Sequence, residues 1–294
     1  MKQLDAEVHG VTPEDVERAA TELRAYLPPT PLQHSRAFTE KARCHVYLKI
    51  ESIQPIRAFK VRGALNKLIR LTGEQRSAGV ITASAGNHGM GVAYAAAAFN
   101  APATVYVPET ANPFKVEAIR RLGAHVVEAG RNYNGAYVEA LRAQSESGAT
   151  FVHAYDDPEV VAGQGTIASE LLFDLADFDT VLVPIGGGGL IGGIVRLDRV
   201  STIADGLAAS APGKLTLQLA QRYVDEVLLV EETEMLRAIR LLFEWEHLLA
   251  EPAGAAALAA LLYHYRPAPN ERVVVILSGG NVTDEVMLQA LKTR

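Results

Sequence analysis

Cysteine is almost absent, Cys44 being the only one in 294 residues. A single thiol excludes an intrachain disulfide and any cysteine-built metal cluster. Long apolar runs are missing too. The longest, AGAAALAALLY at 253–263, falls well short of the roughly 20 residues that span a bilayer, so no membrane partner is expected. The opening MKQLDAEVHG has no apolar signal core, and the expected compartment is cytoplasmic. A basic excess is also lacking. The formal net charge of -6 gives no reason to expect nucleic acid or an anionic membrane as partner. There is no internal repeat, low-complexity tract or evident linker.

What is present is an ordinary globular composition, 49% hydrophobic and 21% charged, in a chain long enough for one large domain or two modest ones. Thr12-Pro13-Glu14-Asp15 is a helix start, with a capping hydroxyl, a proline in the first turn and acids after it. That helix runs toward Tyr26 and stops at LPPTPL. Short β-rich runs then alternate with helical stretches: HVYLKI, GVITAS, ATVYVP, AHVVEAG, FVHAY, TVLVPIG, EVLLV and RVVVILSGG. Apolar strands separated by helices predict βαβ units and parallel sheets covered on both faces, an α/β fold.

In such sheets ligands bind beyond the carboxyl ends of the strands. Three loops there are rich in small and polar residues: SAGNHG, GGGG and SGGN. Three together point to one shared site. In PIGGGGLIGGI, Gly186 to Gly189 allow close backbone approach with exposed N–H groups. A helix beginning near Leu190 would add its positive end, suiting a phosphate. The pattern is neither G-x-G-x-x-G nor a Walker loop, so a single phosphate monoester fits better than a dinucleotide or ATP. In SAGNHG, the N–H groups of the turn from Ser84 to His88 could hold a carboxylate, and Asn87 could bond a ring hydroxyl. Ser278 could face a heterocyclic nitrogen, although alone it reads as a turn serine. His88 alone reads as a structural histidine.

Together AFKVRGA, SAGNHGMGVA, GQGTIASE, GGGGLIGGI, TIADGLA, EPAGAAALAAL and SGGNV resemble the fold-type II pyridoxal-phosphate enzymes, tryptophan synthase β-like in fold, and among them the threonine/serine dehydratases and serine racemases. The resemblance implies two domains, a larger one from 1–52 and 150–294 and a smaller inserted one from 53–149. It makes Lys60 the catalytic lysine, forming the Schiff base with pyridoxal 5'-phosphate and then acting as base. It places Phe59 against the pyridine ring, Asn87 on the 3′ oxygen, Gly186 to Gly189 and Leu190 on the phosphate, and Ser278 on the ring nitrogen. Ser84, Ala85, Gly86, Asn87 and His88 would bind the substrate carboxylate. A neutral serine at the ring nitrogen makes the cofactor a weaker electron sink, which favours prompt loss of a β-substituent. Homodimers or homotetramers are implied, a divalent cation is undecided, and no C-terminal regulatory domain is expected after SGGNV.

Three departures stand out. Where the family reads Thr-Gly-Ser before Phe-Lys, this chain has Ile56, Arg57 and Ala58. Arg57 either faces solvent, the favoured reading because arginine is usually exposed, or meets an extra anionic group such as the second carboxylate of a hydroxyaspartate. Ala85 stands where eukaryotic serine racemases carry a serine acid/base, which argues for elimination over racemisation. Finally, GGGGLIGGI runs almost directly into VRLDRVSTIADGLA, where the family has several dozen more residues. Either the chain is shortened between Ile194 and Val195, or a segment has been left out and the chain renumbered. The second is favoured, since losing a core βα unit would expose the sheet. The resemblance places Glu251 near the site, although a helix-start acid alone would explain it, and Asp205 reads as a turn former.

The expected activity is ammonia elimination from L-threonine, L-serine or a related β-hydroxy amino acid, giving a 2-oxo acid. The alternatives are a serine racemase, a β-replacement enzyme such as a cysteine synthase, or a cofactor-binding protein without catalysis.

Overall fold

The computed structural model describes residues 11–190, 204, 207 and 213–293. Its first helix, α1 (Pro13–Leu23), starts at a full capping box in which Thr12 and Asp15 satisfy each other's backbone N–H groups. The elements that follow are β1 (Leu32–Ser35), α2 (Arg36–Ala42), β2 (His45–Ile50), α3 (Lys60–Arg70), α4 (Gly73–Ala78), β3 (Val80–Ala83), α5 (Asn87–Ala98), β4 (Ala103–Val107), α6 (Pro113–Arg121), β5 (His125–Glu128), α7 (Tyr133–Ser147), β6 (Thr150–Phe151), α8 (Pro158–Asp174), β7 (Thr180–Leu182), α9 (Lys214–Tyr223), α10 (Glu232–Glu246), α11 (Pro252–Tyr263), β8 (Arg272–Leu277) and α12 (Asp284–Lys292).

Among the described residues two four-stranded sheets result. One has the order β1-β2-β8-β7 and so joins both ends of the chain; the other, β5-β4-β3-β6, uses only the middle. The middle sheet is parallel throughout. In the other sheet β2, β8 and β7 are parallel, but β1 runs antiparallel to β2, an edge strand the apolar runs did not announce. The buried runs Val80–Ala83 and Val273–Leu277 are covered on both faces, as continuous apolar strands require. Helix α11 is buried along its whole first ten residues, which is why it is apolar all round.

One run departs from expectation. EVLLV, residues 226–230, forms no strand. A strand needs a neighbour to take its backbone hydrogen bonds, and no described strand pairs with this run. β7 has only three residues, all half-buried. Asp205, Gly206 and most of the segment after Leu190 lie outside the described residues.

Helix α3, which begins with Lys60, is gripped on two sides. A Cβ on Gly163 of α8 would lie 2.7 Å from the Cα of Gly63, so the glycine of GQGT allows the two backbones to touch. Gln164 then accepts the N–H of Gly63 at 3.2 Å. Two residues beyond Lys60, Arg62 is buried and donates to Glu51 at 2.7 Å and Glu170 at 2.6 Å. Lys49, fully buried, completes the cluster at 2.7 Å from Glu170.

Candidate active site

The segment before α3 is stitched to the loop after β8. Ala58 bridges Gly279, Phe59 donates its N–H to Ser278 O at 3.1 Å, and Gly280 donates to Arg57 O at 2.8 Å. These bonds fix the start of α3, and with it Lys60, beside Ser278. The Lys60 amine donates to Ala154 O at 2.7 Å and lies 5.1 Å from the centroid of the Phe59 ring. No carboxylate pairs with it among the described residues, and burial pushes its pKa down to about 8.

Helix α5 enters from the other side. Its cap is Gly86, which has no side chain to occupy the first-turn N–H groups. Ser84 accepts the Gly86 N–H at 3.2 Å. The side chain of Asn87 donates to Glu251 and accepts from Asn281 at 2.7 Å. Glu251 caps α11 by position, yet its carboxylate makes no capping bond and turns to Asn87 instead. It also fills the space beside Gly279, where a Cβ would come 2.1 Å from Oε1. Glu251 thus stands both at a helix start and at the site, as the resemblance implied. The His88 ring points away into the interior, with Nε2 3.0 Å from Val152 O, and burial keeps it neutral with a pKa of about 3. Only its backbone belongs to the turn.

The glycine loop follows β7. Gly188 has φ +91°, a conformation that favours glycine. The Cβ positions of Gly187 and Gly189 are taken by Tyr155, at 2.3 and 2.7 Å. Leu190 is half-buried and packs against the cluster that contains Phe59 and Ile276. The same short segment therefore touches both halves: Ala154 holds the Lys60 amine, and Tyr155 lies on the glycine loop. Asp156 goes further, accepting the N–H groups of Lys214 at 3.1 Å and Leu215 at 2.9 Å at the start of α9. Thr216 of that helix donates to Gly187 O at 3.0 Å.

The arrangement fits pyridoxal phosphate. A part-buried amine with a lowered pKa and a carbonyl as its hydrogen-bond partner is suited to bonding an aldehyde, and the glycine loop carries no side chains of its own to keep a phosphate from its backbone. A model of the pyridoxal-phosphate dependent enzymes matches residues 23–197 and 195–279. The chain belongs to that family. Among curated relatives it is 43% identical to an L-threonine ammonia-lyase of Geobacter sulfurreducens, over 91% of this chain and 75% of the relative. It is 40% identical to an L-threonine ammonia-lyase of Thermotoga maritima, over 92% and 76%. The solved structure of maize serine racemase superposes with a TM-score of 0.90 at 30% identity, covering 96% and 97% of the two chains.

The family match breaks into two stretches that meet at 195–197. The break falls where GGGGLIGGI runs into VRLDRVSTIADGLA. Among the described residues no group of three or more His, Cys, Asp or Glu side chains is placed to hold a metal ion, and no helix is long and apolar enough to cross a membrane. The sequence reading missed Ala154, Tyr155, Asp156 and Asn281. A polar HAYDD following a strand-like run was the available signal for the first three.

Proposed function

We propose that the protein is an ammonia-lyase converting L-threonine or L-serine to a 2-oxo acid and ammonia. The observation that carries this reading is the Lys60 amine, poised near pKa 8 between Ala154 O, Phe59 and the loop that ends at Ser278. The names and identities of the curated relatives support it. In this reading Gly186 to Gly189 and Leu190 hold the cofactor phosphate, Ser278 meets the ring nitrogen, Asn87 the ring oxygen, and Phe59 lies beside the ring. Bound there, pyridoxal phosphate supplies the electron sink that acidifies the substrate α-carbon.

The chain's own groups do the rest. The first-turn N–H groups of α5, which no side chain caps, orient the substrate carboxylate from the turn Ser84–His88. Lys60, with its pKa brought toward neutrality, accepts the α-proton. Ala154 O fixes the direction of the amine. Water is lost across the α and β carbons and regained on hydrolysis, leaving the 2-oxo acid and ammonia. Ala85 provides no hydroxyl to return a proton on the opposite face, so elimination prevails over racemisation.

The domains are assigned as 1–52 with 150–294, and 53–149 inserted between them. A homodimer or homotetramer in the cytoplasm completes the proposal. The test is a coupled 2-oxo acid assay with threonine and serine, and with O-acetylserine plus sulfide for β-replacement. Threonine is expected to be turned over, and Lys60→Ala to lose at least about 10³-fold in rate. Undiminished turnover in Lys60→Ala would sink the mechanism.

A further inference from the structure

The side-chain amide of Asn87 is the middle link of a hydrogen-bond relay whose direction is fixed at both ends. At one end stands the carbonyl oxygen of Ile56, which can only accept. The Asn281 side chain must turn its nitrogen to it, and Nδ2 donates there at 2.8 Å. The same nitrogen reaches Asn87 at 2.7 Å, so Asn87 has to answer with its oxygen, Oδ1. Asn87 Nδ2 is thereby left on the opposite side, where it donates to the Glu251 carboxylate. A carboxylate is again an acceptor. Read from either end, the polarity is the same.

The links are held in place by backbone. Gly280 donates to Arg57 O and Phe59 to Ser278 O, so Asn281 ends the strap that joins the loop after β8 to the segment before Lys60. Glu251 donates its own N–H to Gly279 O at 3.1 Å. A Cβ on Gly279 would lie 2.1 Å from Glu251 Oε1 and 3.2 Å from Asn87 Nδ2, so a glycine is needed for the chain to pass this close. Ile56 and Glu251, the two ends, are buried, and Asn87 and Asn281 between them are half-buried. An amide nitrogen carries two hydrogens. One of those on Asn87 goes to Glu251, and the other meets no acceptor among the described residues.

We propose that Asn281 is a positioning residue: by donating to Asn87 Oδ1 it fixes which end of that amide faces the cofactor, so that the ring oxygen meets an N–H and not a carbonyl. The inference rests on the reading that Asn87 meets the ring oxygen, and extends it to the residue behind Asn87. An N–H aimed at an oxygen bearing negative charge is a charge-assisted bond, stronger than a neutral one. With the amide turned round, two acceptors would face each other and the contact would repel. Asn281 thus sets the sign of the interaction, and Glu251 holds the other end of the amide.

The test exchanges the groups on either side of Asn87. Asn281→Asp combined with Glu251→Gln keeps the net charge and inverts the relay, since position 281 then accepts and position 251 donates. Titration of the cofactor-free protein compares pyridoxal phosphate with 3-deoxypyridoxal phosphate, which has the same aldehyde and phosphate but no ring oxygen. In the double variant, affinity for pyridoxal phosphate is expected to fall about 10-fold more than affinity for the deoxy analogue. Glu251→Gln alone still offers an amide oxygen to Asn87, so its preference should stay within about two-fold of wild type. A merely structural role for Asn281 weakens both ligands equally, and that outcome in the double variant overturns the proposal. A second readout needs no cofactor. Nuclear Overhauser contacts from the Asn87 Nδ2 hydrogens are expected to run most strongly to Glu251 in wild type and to position 281 in the double variant. Strongest contacts to Asn281 in wild type overturn the proposal, even where the double variant is too unstable to titrate. Should Asn87→Ala weaken both ligands equally, the placement of Asn87 on the ring oxygen fails instead, and the Overhauser contacts then decide whether Asn281 sets the amide.

Discussion

Lys60 donates from Nζ to the carbonyl oxygen of Ala154 at 2.7 Å, two residues before a carboxylate that caps a helix of the glycine-loop side. The carbonyl orients the amine without neutralising its charge, so burial dominates and lowers the pKa from 10.5 to about 8. Below pH 8 both folded and unfolded chains hold this proton, and the fold carries the full desolvation cost. Between about 8 and 10.5 the unfolded chain binds more protons, so stability rises with pH across that window. Denaturant titrations of cofactor-free wild type and Lys60→Met are expected to diverge there, wild type gaining about 1–3 kcal/mol relative to the variant. Parallel pH curves for the two proteins would contradict the assignment.

Gly187 gives a second test, on the cradle. A Cβ there would sit 2.3 Å from the Tyr155 ring, closer than atoms can approach. Gly187→Ala must push either the ring or the loop aside, at about 1–3 kcal/mol. Cofactor affinity, followed by absorbance titration, is expected to fall about 10-fold or more. Adding Tyr155→Ala makes room for the methyl group, so the double variant is expected to bind more tightly than Gly187→Ala alone. Strictly additive losses would show that the ring is not the obstacle.

Arg62 anchors α3 from within. Burial pulls the Glu170 carboxyl upward, but the hydrogen bonds and charges of Arg62 and Lys49 outweigh it and hold the pKa below 4.5. That contribution is present above pH 4.5 and is lost as pH falls through the lowered value. Glu51 is fully buried and depends on the same guanidinium. Arg62→Met is expected to cost about 3–5 kcal/mol, because it strands buried acid groups. Glu51→Gln added to it should recover part of that loss in chemical denaturation, while the two single costs would not simply add.

The parts legible in the sequence were those carried by contiguous residues. Glycine runs, apolar strands and the Thr12 capping box announce themselves locally. Ala154 does not, because its contribution is a backbone carbonyl. Arg62 pairs with Glu170, 108 residues away, and no local pattern records such a pairing. EVLLV had the composition of a strand but lacked a partner strand, showing that β structure depends on its neighbours. Glu251 fitted a helix cap by position, and only its contact with Asn87 reveals where its charge is directed. Arg57 was visible as a departure and is exposed, as the favoured reading expected, whereas its positive φ was not legible.

Asp156 offers the sharpest test of how the site is joined to α9. The N-cap of α9 is Gly213, which has no side chain to cap it, and Asp156 supplies the cap from elsewhere in the chain. The fit is close: a Cβ on Gly213 would meet Asp156 Oδ1 at 2.3 Å. Gly213 and Thr216 in turn bond Gly187 O at 3.3 and 3.0 Å, so loss of the cap should loosen the cradle. Asp156→Ala is expected to cost about 1–2 kcal/mol, and Asp156→Asn less, since the amide oxygen can still accept an N–H. Gly213→Ala should reproduce the loss by displacing the carboxylate, and the two changes together should be little worse than either alone. Hydrogen exchange at Lys214 and Leu215 should quicken in both single variants, with a weaker hold on the cofactor. Unchanged exchange at those two amides in Asp156→Ala would refute the cap, whatever happens to activity.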